Sequence, residues 1–228
     1  MNFCIVIPVY NSPYIREVII DVLNYGYKVI VINDGSSDKL DVNDLDIELV
    51  EHEVNKGKGE AILSGATKAK ELGYDSFVTM DADKQHISSQ IQKLTTAYQE
   101  NTIVIGNRDF KGEHIPNSSK FGRKFSNFWV MLETFKKLGD TQSGFRMYPV
   151  NILELPLTNK RFDFEVEILV HHSYRGGAIK DIEVECYYPP HEERITHFDK
   201  LWDNVHITLL HIKLLIQRYL LLRGWLWK

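Results

Sequence analysis

The chain is 228 residues long, 43% hydrophobic and 25% charged, the proportions of an ordinary globular protein. That length accommodates one large α/β domain, with or without an appendage. A net charge of −4 and a pI near 6.1 exclude the basic footprint of a nucleic-acid binder, so no nucleic-acid partner is expected.

In chain order, strands and helices alternate. FCIVIPV (3–9) is a predicted strand ending at Pro8, and Tyr10-Asn11-Ser12-Pro13 reads as a turn carrying a helix N-cap with Pro at the first helical position. The N-terminus has no basic n-region, so it reads as this strand and not as a signal peptide. Cys4 lies inside it, and Cys4 and Cys186 have no framework spacing, which points to buried thiols in a reducing compartment. Ile15, Val18, Ile19, Val22 and Leu23 form the apolar face of a helix closed by Gly26. KVIVIND (28–34) is a second buried strand, followed by the polar turn Gly35-Ser36-Ser37-Asp38. IELVEH (47–52) is a third, followed by Asn55-Lys56-Gly57-Lys58-Gly59 and a helix with Ala61, Ile62, Ala66, Ala69 and Leu72 on one face. A strand over 76–81, a helix presenting Ile87, Ile91, Leu94 and Tyr98, and a strand over 102–106 continue the pattern. Such β-α-β alternation predicts an α/β class with a mostly parallel sheet flanked by helices on both faces.

Beyond residue 108 the pattern loosens. Residues 109–126 are polar and basic and predict a loop leading into a helix over 124–138. DTQSGFRMYP (140–149) reads as a turn-rich connector, 163–177 as a helix, and 178–188 as the last strand before Pro189-Pro190. The expected organisation is a catalytic-type domain over 1–198 with an appended helix over 199–228.

The chemistry gathers around SFVTMDADKQH (76–86). In extended chain, residues two apart share a side, so Asp81 and Asp83 project together from a strand's carboxyl end, where open α/β sheets bind ligands. Two carboxylates there call for a cation, and a hard divalent ion gripping a diphosphate is the economical one; the bland alternative is an acidic turn in which Asp83 caps a helix. At the neighbouring transitions Pro8 to Asn11 and Asn33 to Asp38, Tyr10 can stack on a base and Asp34 can accept from a base or ribose, although turn chemistry alone also explains them. NKGKGEA (55–61) offers glycines and lysines at a helix start, a site favourable to anions. It lacks a nucleoside-triphosphatase P-loop signature. Arg108, Arg123, Lys124 and Arg146 are cations suited to phosphate-bearing substrates if they converge. None of the nine histidines stands in a zinc-binding pattern.

Together these stretches resemble family-2 glycosyltransferases of the GT-A fold, especially the dolichyl- and polyprenyl-phosphate sugar synthases. The matching pieces are IPVYN (7–11), VINDGSSD (31–38), NKGKGEA (55–61), MDADKQH (80–86), GNR (106–108), DTQSGFR (140–146) and FEVEILV (164–170), in the family's order. The resemblance implies a Rossmann-like GT-A fold and an inverting hexosyl transfer from a UDP- or GDP-linked sugar. It implies nucleotide contacts at Pro8, Tyr10, Asn11 and Asp34, with Gly57 in the same donor region. It implies a Mg2+ or Mn2+ held by Asp81 and Asp83 with Gln85 beside it, and phosphate contacts at Arg108 and Arg123, or Lys124 in place of Arg123. Where the family often has Glu after Y-N, this chain has Ser12; where some relatives have an acidic residue before Phe145, it has Gly144. Asp140 and Glu165 are then the carboxylates left to act as general base toward a hydroxyl acceptor. A lipid phosphate is already anionic and needs none, and the basic stretch 120–124 is placed to receive it.

The tail LWDNVHITLLHIKLLIQRYLLLRGWLWK (201–228) is rich in Leu and Ile yet interrupted by His206, His211, Lys213, Gln217, Arg218 and Arg223. These interruptions argue against a span and for a surface helix, with Trp225, Trp227 and Lys228 suited to the headgroup zone. Packing on the catalytic domain or in a homodimer is the alternative. The resulting expectation is a metal-dependent enzyme on the inner face of the cytoplasmic membrane, taking a nucleotide-sugar donor and a polyprenyl-phosphate or other envelope-lipid acceptor. Transfer to a hydroxyl of a glycolipid or polysaccharide, and noncatalytic nucleotide-sugar binding, are the rival readings.

Overall fold

The computed structural model describes residues 1–109, 117–161, 163–188 and 202–222. Seven strands, β1 (Phe3–Val9), β2 (Val29–Asn33), β3 (Ile47–Glu51), β4 (Ser76–Thr79), β5 (Thr102–Arg108), β6 (Arg146–Pro149) and β7 (Ala178–Val184), form one sheet. Its order is β3-β2-β1-β4-β6-β5-β7. All pairings are parallel except those of β6, which runs antiparallel between β4 and β5.

Alternation along the strands sends successive side chains into two cores. Cys4, Val6, Ile30, Ile32, Phe77, Ile103 and Ile105 face α2 (Lys58–Glu71) and α5 (Phe164–Tyr174). Ile5, Ile7, Val29, Val31, Val78 and Val104 face α1 (Ile15–Asn24) and α3 (Ile91–Ala97). Strands covered on both faces are continuously apolar, which is why β1 and β2 are legible as unbroken runs. The helices α4 (Asn117–Thr134) and α6 (Trp202–Leu222) complete the α2–α5 side, contributing Val130, Leu210 and Leu214 to its core.

Three expectations are corrected. The connector 140–149 contains β6, and its four residues are too few to show a period. The helix expected from 124 begins at Asn117, so the stretch 120–124 lies on α4 and is not a loop; residues 110–116 of the expected loop lie outside the described residues. Ser12 does not cap α1, which starts at Ile15 after Tyr14. Its hydroxyl instead donates to the carbonyl of Ala82, fastening the β1 loop to the acidic turn. Pro189, Pro190 and the tail residues 223–228, including Trp225, Trp227 and Lys228, lie outside the described residues.

Candidate active site

Because β1, β2, β4 and β5 are parallel, the loops after them share one edge of the sheet. The antiparallel β6 brings its preceding residues, 143–145, to that same edge, with Arg146 paired to Thr79. β4 stops at Thr79, two residues short of Asp81, so the acidic pair is set by a turn and not by strand alternation. In that turn the Asp81 N–H donates to His86 Nδ1 at 3.0 Å, and the Gln85 N–H donates to Asp83 Oδ1 at 3.0 Å. Lys84 takes φ 64°, bending the chain back on itself. Gln85 is pinned at its other main-chain group too, its carbonyl accepting from the Tyr187 N–H at 2.9 Å.

The two carboxylates are inequivalent. Burial and the charge of Asp81 push Asp83 up to about 6. Burial acts on Asp81 in the same direction but is outweighed by Lys58, His86 and Arg108, which hold it down to about 2. The Lys58 ammonium sits 2.7 Å from Asp81 Oδ1 and 2.9 Å from Glu165 Oε1, a cation bridging a half-buried acid and a buried one. Burial works against its charge, yet Asp81 and Glu165 hold it above the ordinary lysine value. Gly144 closes over this group: a Cβ there would lie 2.6 Å from Asp81 Oδ2 and 2.7 Å from Lys58 Nζ. A side chain there would push the Asp81 carboxylate and the Lys58 ammonium aside.

His86 is fully enclosed, its ring stacked on Phe145 with centroids 4.9 Å apart. Burial drives it down to about 4, so at neutral pH the uncharged imidazole accepts from Asp81.

The glycine-rich loop does bind an anion, but that anion is internal. Asp34 accepts from the N–H groups of Lys56 and Gly57, each at 2.9 Å, and from His52 Nδ1 at 2.7 Å. It is buried, as is His52. Gly57, expected among the donor contacts, spends its N–H on Asp34; at φ 97° it backs onto the Lys160 carbonyl, where a Cβ would lie 2.4 Å away. The β1 loop is tied to the β2 loop through Asn11, whose side-chain oxygen accepts from Ser37 N–H at 2.8 Å. Tyr10, half-buried, and Pro8 lie at the end of β1 beside this junction.

The four expected cations do not converge as free phosphate ligands. Arg146 is fully buried in β6 and donates to the carbonyls of Ser143, Thr141 and Glu165. Arg108 grips Asp140 with Nε at 2.7 Å and Nη2 at 3.1 Å, and its field reaches Asp81 and Asp83. Arg123 donates to the carbonyls of Gly139 and Arg108 and to Asn107 Oδ1. Lys124 is exposed on α4. Asp140, expected as a base, is enclosed and held below the ordinary carboxylate range, since the pull of Arg108 and Arg123 outweighs burial. A carboxylate in that state serves Arg108 as a counter-ion. Lys58 and His86 are the site residues that sequence reasoning left out. Lys58 stood inside a quoted motif, but its partners lie far along the chain, and no spacing reveals them.

A mostly parallel sheet with its loops gathered at one edge around an acidic turn is the architecture of the GT-A glycosyltransferases. The chain belongs to glycosyl transferase family 2, whose family model matches residues 4–155; it is a glycosyltransferase. It is similar to a UDP-N-acetylglucosamine–dolichyl-phosphate N-acetylglucosaminyltransferase of Methanococcus voltae, 29% identical over 215 residues, with 81% of this chain and 85% of the relative covered. A dolichol-phosphate mannosyltransferase of Pyrococcus furiosus is 27% identical over 76% of this chain, which spans 54% of that longer relative. Among solved structures, glucosyl-3-phosphoglycerate synthase from Mycobacterium tuberculosis, determined with Mn2+, UDP-glucose and phosphoglyceric acid, superposes with a TM-score of 0.68. Its identity is 18%, and 95% of this chain and 79% of that chain are covered.

Proposed function

We propose that this glycosyltransferase moves a sugar from a UDP- or GDP-linked donor to a polyprenyl-phosphate acceptor at the inner face of the cytoplasmic membrane. The observation that carries the choice of acceptor is the state of the carboxylates. Asp140 is bound to Arg108 and Glu165 to Lys58, and position 144 is a glycine and carries no acid. A hydroxyl nucleophile must lose a proton to a base within reach; a lipid phosphate carries its own charge. The relatives named for transfer to dolichyl and undecaprenyl phosphate support the same acceptor class.

The residues suit a divalent ion. Asp81 and Asp83 are hard oxygen donors, and burial together with the charge of Asp81 raises Asp83, a strain that a bound cation would relieve. Among the described residues no third His, Cys, Asp or Glu joins them, which fits an ion completed by diphosphate oxygens and water. When bound, Mg2+ or Mn2+ would supply Lewis-acid stabilisation of the departing diphosphate, and the Mn2+ in the M. tuberculosis synthase supports that assignment. The chain's own work is positional. Lys58 keeps Asp81 ionised, His86 fixes its main chain, and Arg108 adds positive potential where leaving-group charge develops. Tyr10 and Asn11 lie where a nucleotide base would enter.

A panel of nucleotide-sugars with and without Mn2+, followed by thermal unfolding and by product analysis with a short-chain polyprenyl phosphate, tests the reading. Stabilisation by one nucleotide-sugar only with metal, and a phosphodiester-linked product, are expected. Transfer to a free sugar hydroxyl but not to the phosphate would overturn the acceptor assignment.

A further inference from the structure

Helix α4 is built inside out. Its buried positions include Ser126, Glu133 and Thr134 beside Val130, while Phe125, Phe128, Met131 and Leu132 are exposed, as is Phe135 just past its end. A soluble helix places such residues the other way round. α6 does bury one apolar stripe, Ile207, Leu210 and Leu214, against α4 and α5, yet it carries a second, Val205, Leu209, Ile212, Ile216 and Tyr219, on its outer side. Phe128 is 51% exposed, Phe135 74%, Leu209 60% and Ile216 56%.

The two helices meet through their inner sides and edges. Trp129 contacts Phe125 and Phe128 edge-on at 6.0 and 5.9 Å and stacks on His211 of α6 at 5.7 Å. The Arg218 guanidinium of α6 lies over the Phe135 ring at 4.1 Å. Two neighbouring helices that each expose several large apolar side chains mark an interaction site.

Charge chooses the occupant. Among the described side chains of 122–137 and 205–220, the one carboxylate is Glu133, enclosed on His211 at 2.8 Å. Lys124, Lys137 and Lys213 are exposed around the apolar stripes. A second copy docking here about a two-fold axis would set cations against cations with no carboxylate to answer them. An anionic bilayer offers acyl chains to the stripes and phosphates to the lysines.

We propose that α4 and α6 together form a membrane-docking face, seated on anionic lipid headgroups, with α4 doing as much of the contact as the C-terminal helix. Among the described residues no helix is long and apolar enough to cross a bilayer, so the contact is interfacial. The face continues into the site: Arg123, near the start of α4, is fastened to the end of β5 at Asn107 and Arg108. The proposal deepens the lipid-acceptor reading, on which it rests for its purpose but not for its geometry.

The test uses the full chain and its variants Phe128→Glu and Ile212→Glu, at positions about half exposed, with melting temperatures measured alongside to show that each variant is folded. Co-sedimentation is measured with phosphatidylcholine vesicles, with and without phosphatidylglycerol. Binding that needs phosphatidylglycerol, weakens with salt, and falls about ten-fold in either variant is the expected result, while transfer to a short-chain acceptor in solution is retained. Equal sedimentation of wild type and both variants overturns the proposal. So does a stable dimer in light scattering that either variant dissociates. Vesicle binding without any sugar transfer leaves the docking face standing and sinks the lipid-acceptor reading alone.

Discussion

At Gly144 the chain has exchanged a side chain for contact. The Asp81 carboxylate and the Lys58 ammonium press against its Cα, and Thr79 Oγ1 donates to its carbonyl at 2.7 Å. Gly144→Ala places a methyl inside both contacts without demanding a new backbone conformation. The expected outcome is an intact circular dichroism spectrum and the loss of metal-dependent stabilisation by the donor, because Asp81 must move. His86 gives the site an acid limit. Its folded value of about 4 lies below the ordinary 6.5 because it is buried neutral. The stability it contributes is therefore complete above pH 6.5 and is lost as pH falls toward 4, at roughly 1.4 kcal/mol per unit. Asp83 acts in the opposite sense, raised from 3.8 to about 6, so it favours the folded state at low pH and ceases to as pH rises through 6. Subtracting denaturation curves of His86→Asn from those of the wild type isolates the histidine: the difference shrinks between pH 6.5 and 4. A flat difference would mean His86 is not buried neutral. Asp81 and Asp83 stand out in the sequence as a carboxylate pair, although a turn and not strand alternation sets them; the cation between Asp81 and Glu165 does not, since Lys58 meets them only in three dimensions.

Elements were legible in proportion to how their apolar residues repeat. β1, β2 and α1 declare themselves because one physical environment covers each stripe. β6 escapes because four residues show no period, and its antiparallel insertion obeys the tertiary need to fill the gap between β4 and β5. α4 was misplaced because the helix buries polar residues and exposes aromatics, so the usual periodicity points away from the core. Arg146 ties the short strand β6 down. Its guanidinium satisfies three carbonyls, from Thr141, Ser143 and Glu165, in an enclosed space. Arg146→Met would strand those carbonyls, each costing about 1–3 kcal/mol. The expected result is a loss of about 3 kcal/mol or more in denaturant titration, with donor binding falling in step because Gly144 and Glu165 shift. A stable Arg146→Met protein that lost only turnover would restore the arginine to the substrate.

At the scale of the molecule, the helix expected as an appendage is part of the body. Ile207, Leu210 and Leu214 are buried, His211 closes over Glu133, Arg218 donates to the Glu133 carbonyl at 2.6 Å, and the Tyr174 hydroxyl donates to the Leu214 carbonyl at 3.0 Å. Ending the chain at residue 200 removes these groups and leaves Glu133 without its partner on a newly bared α4. Three buried aliphatic side chains at about 1.5–3 kcal/mol each, together with a stranded acid, amount to roughly 5 kcal/mol or more. At about 2–4 °C per kcal/mol for a chain of this size, the melting temperature of the shortened protein should fall by about 10 °C or more, with aggregation from the exposed α4–α5 surface. Loss of vesicle binding on truncation would therefore report unfolding and not docking. Outward substitutions on α4 and α6 separate the two, because they alter the lipid-facing stripe and leave the His211–Glu133 contact in place. A truncated chain that melted like the whole would show that α6 contributes only its outer face.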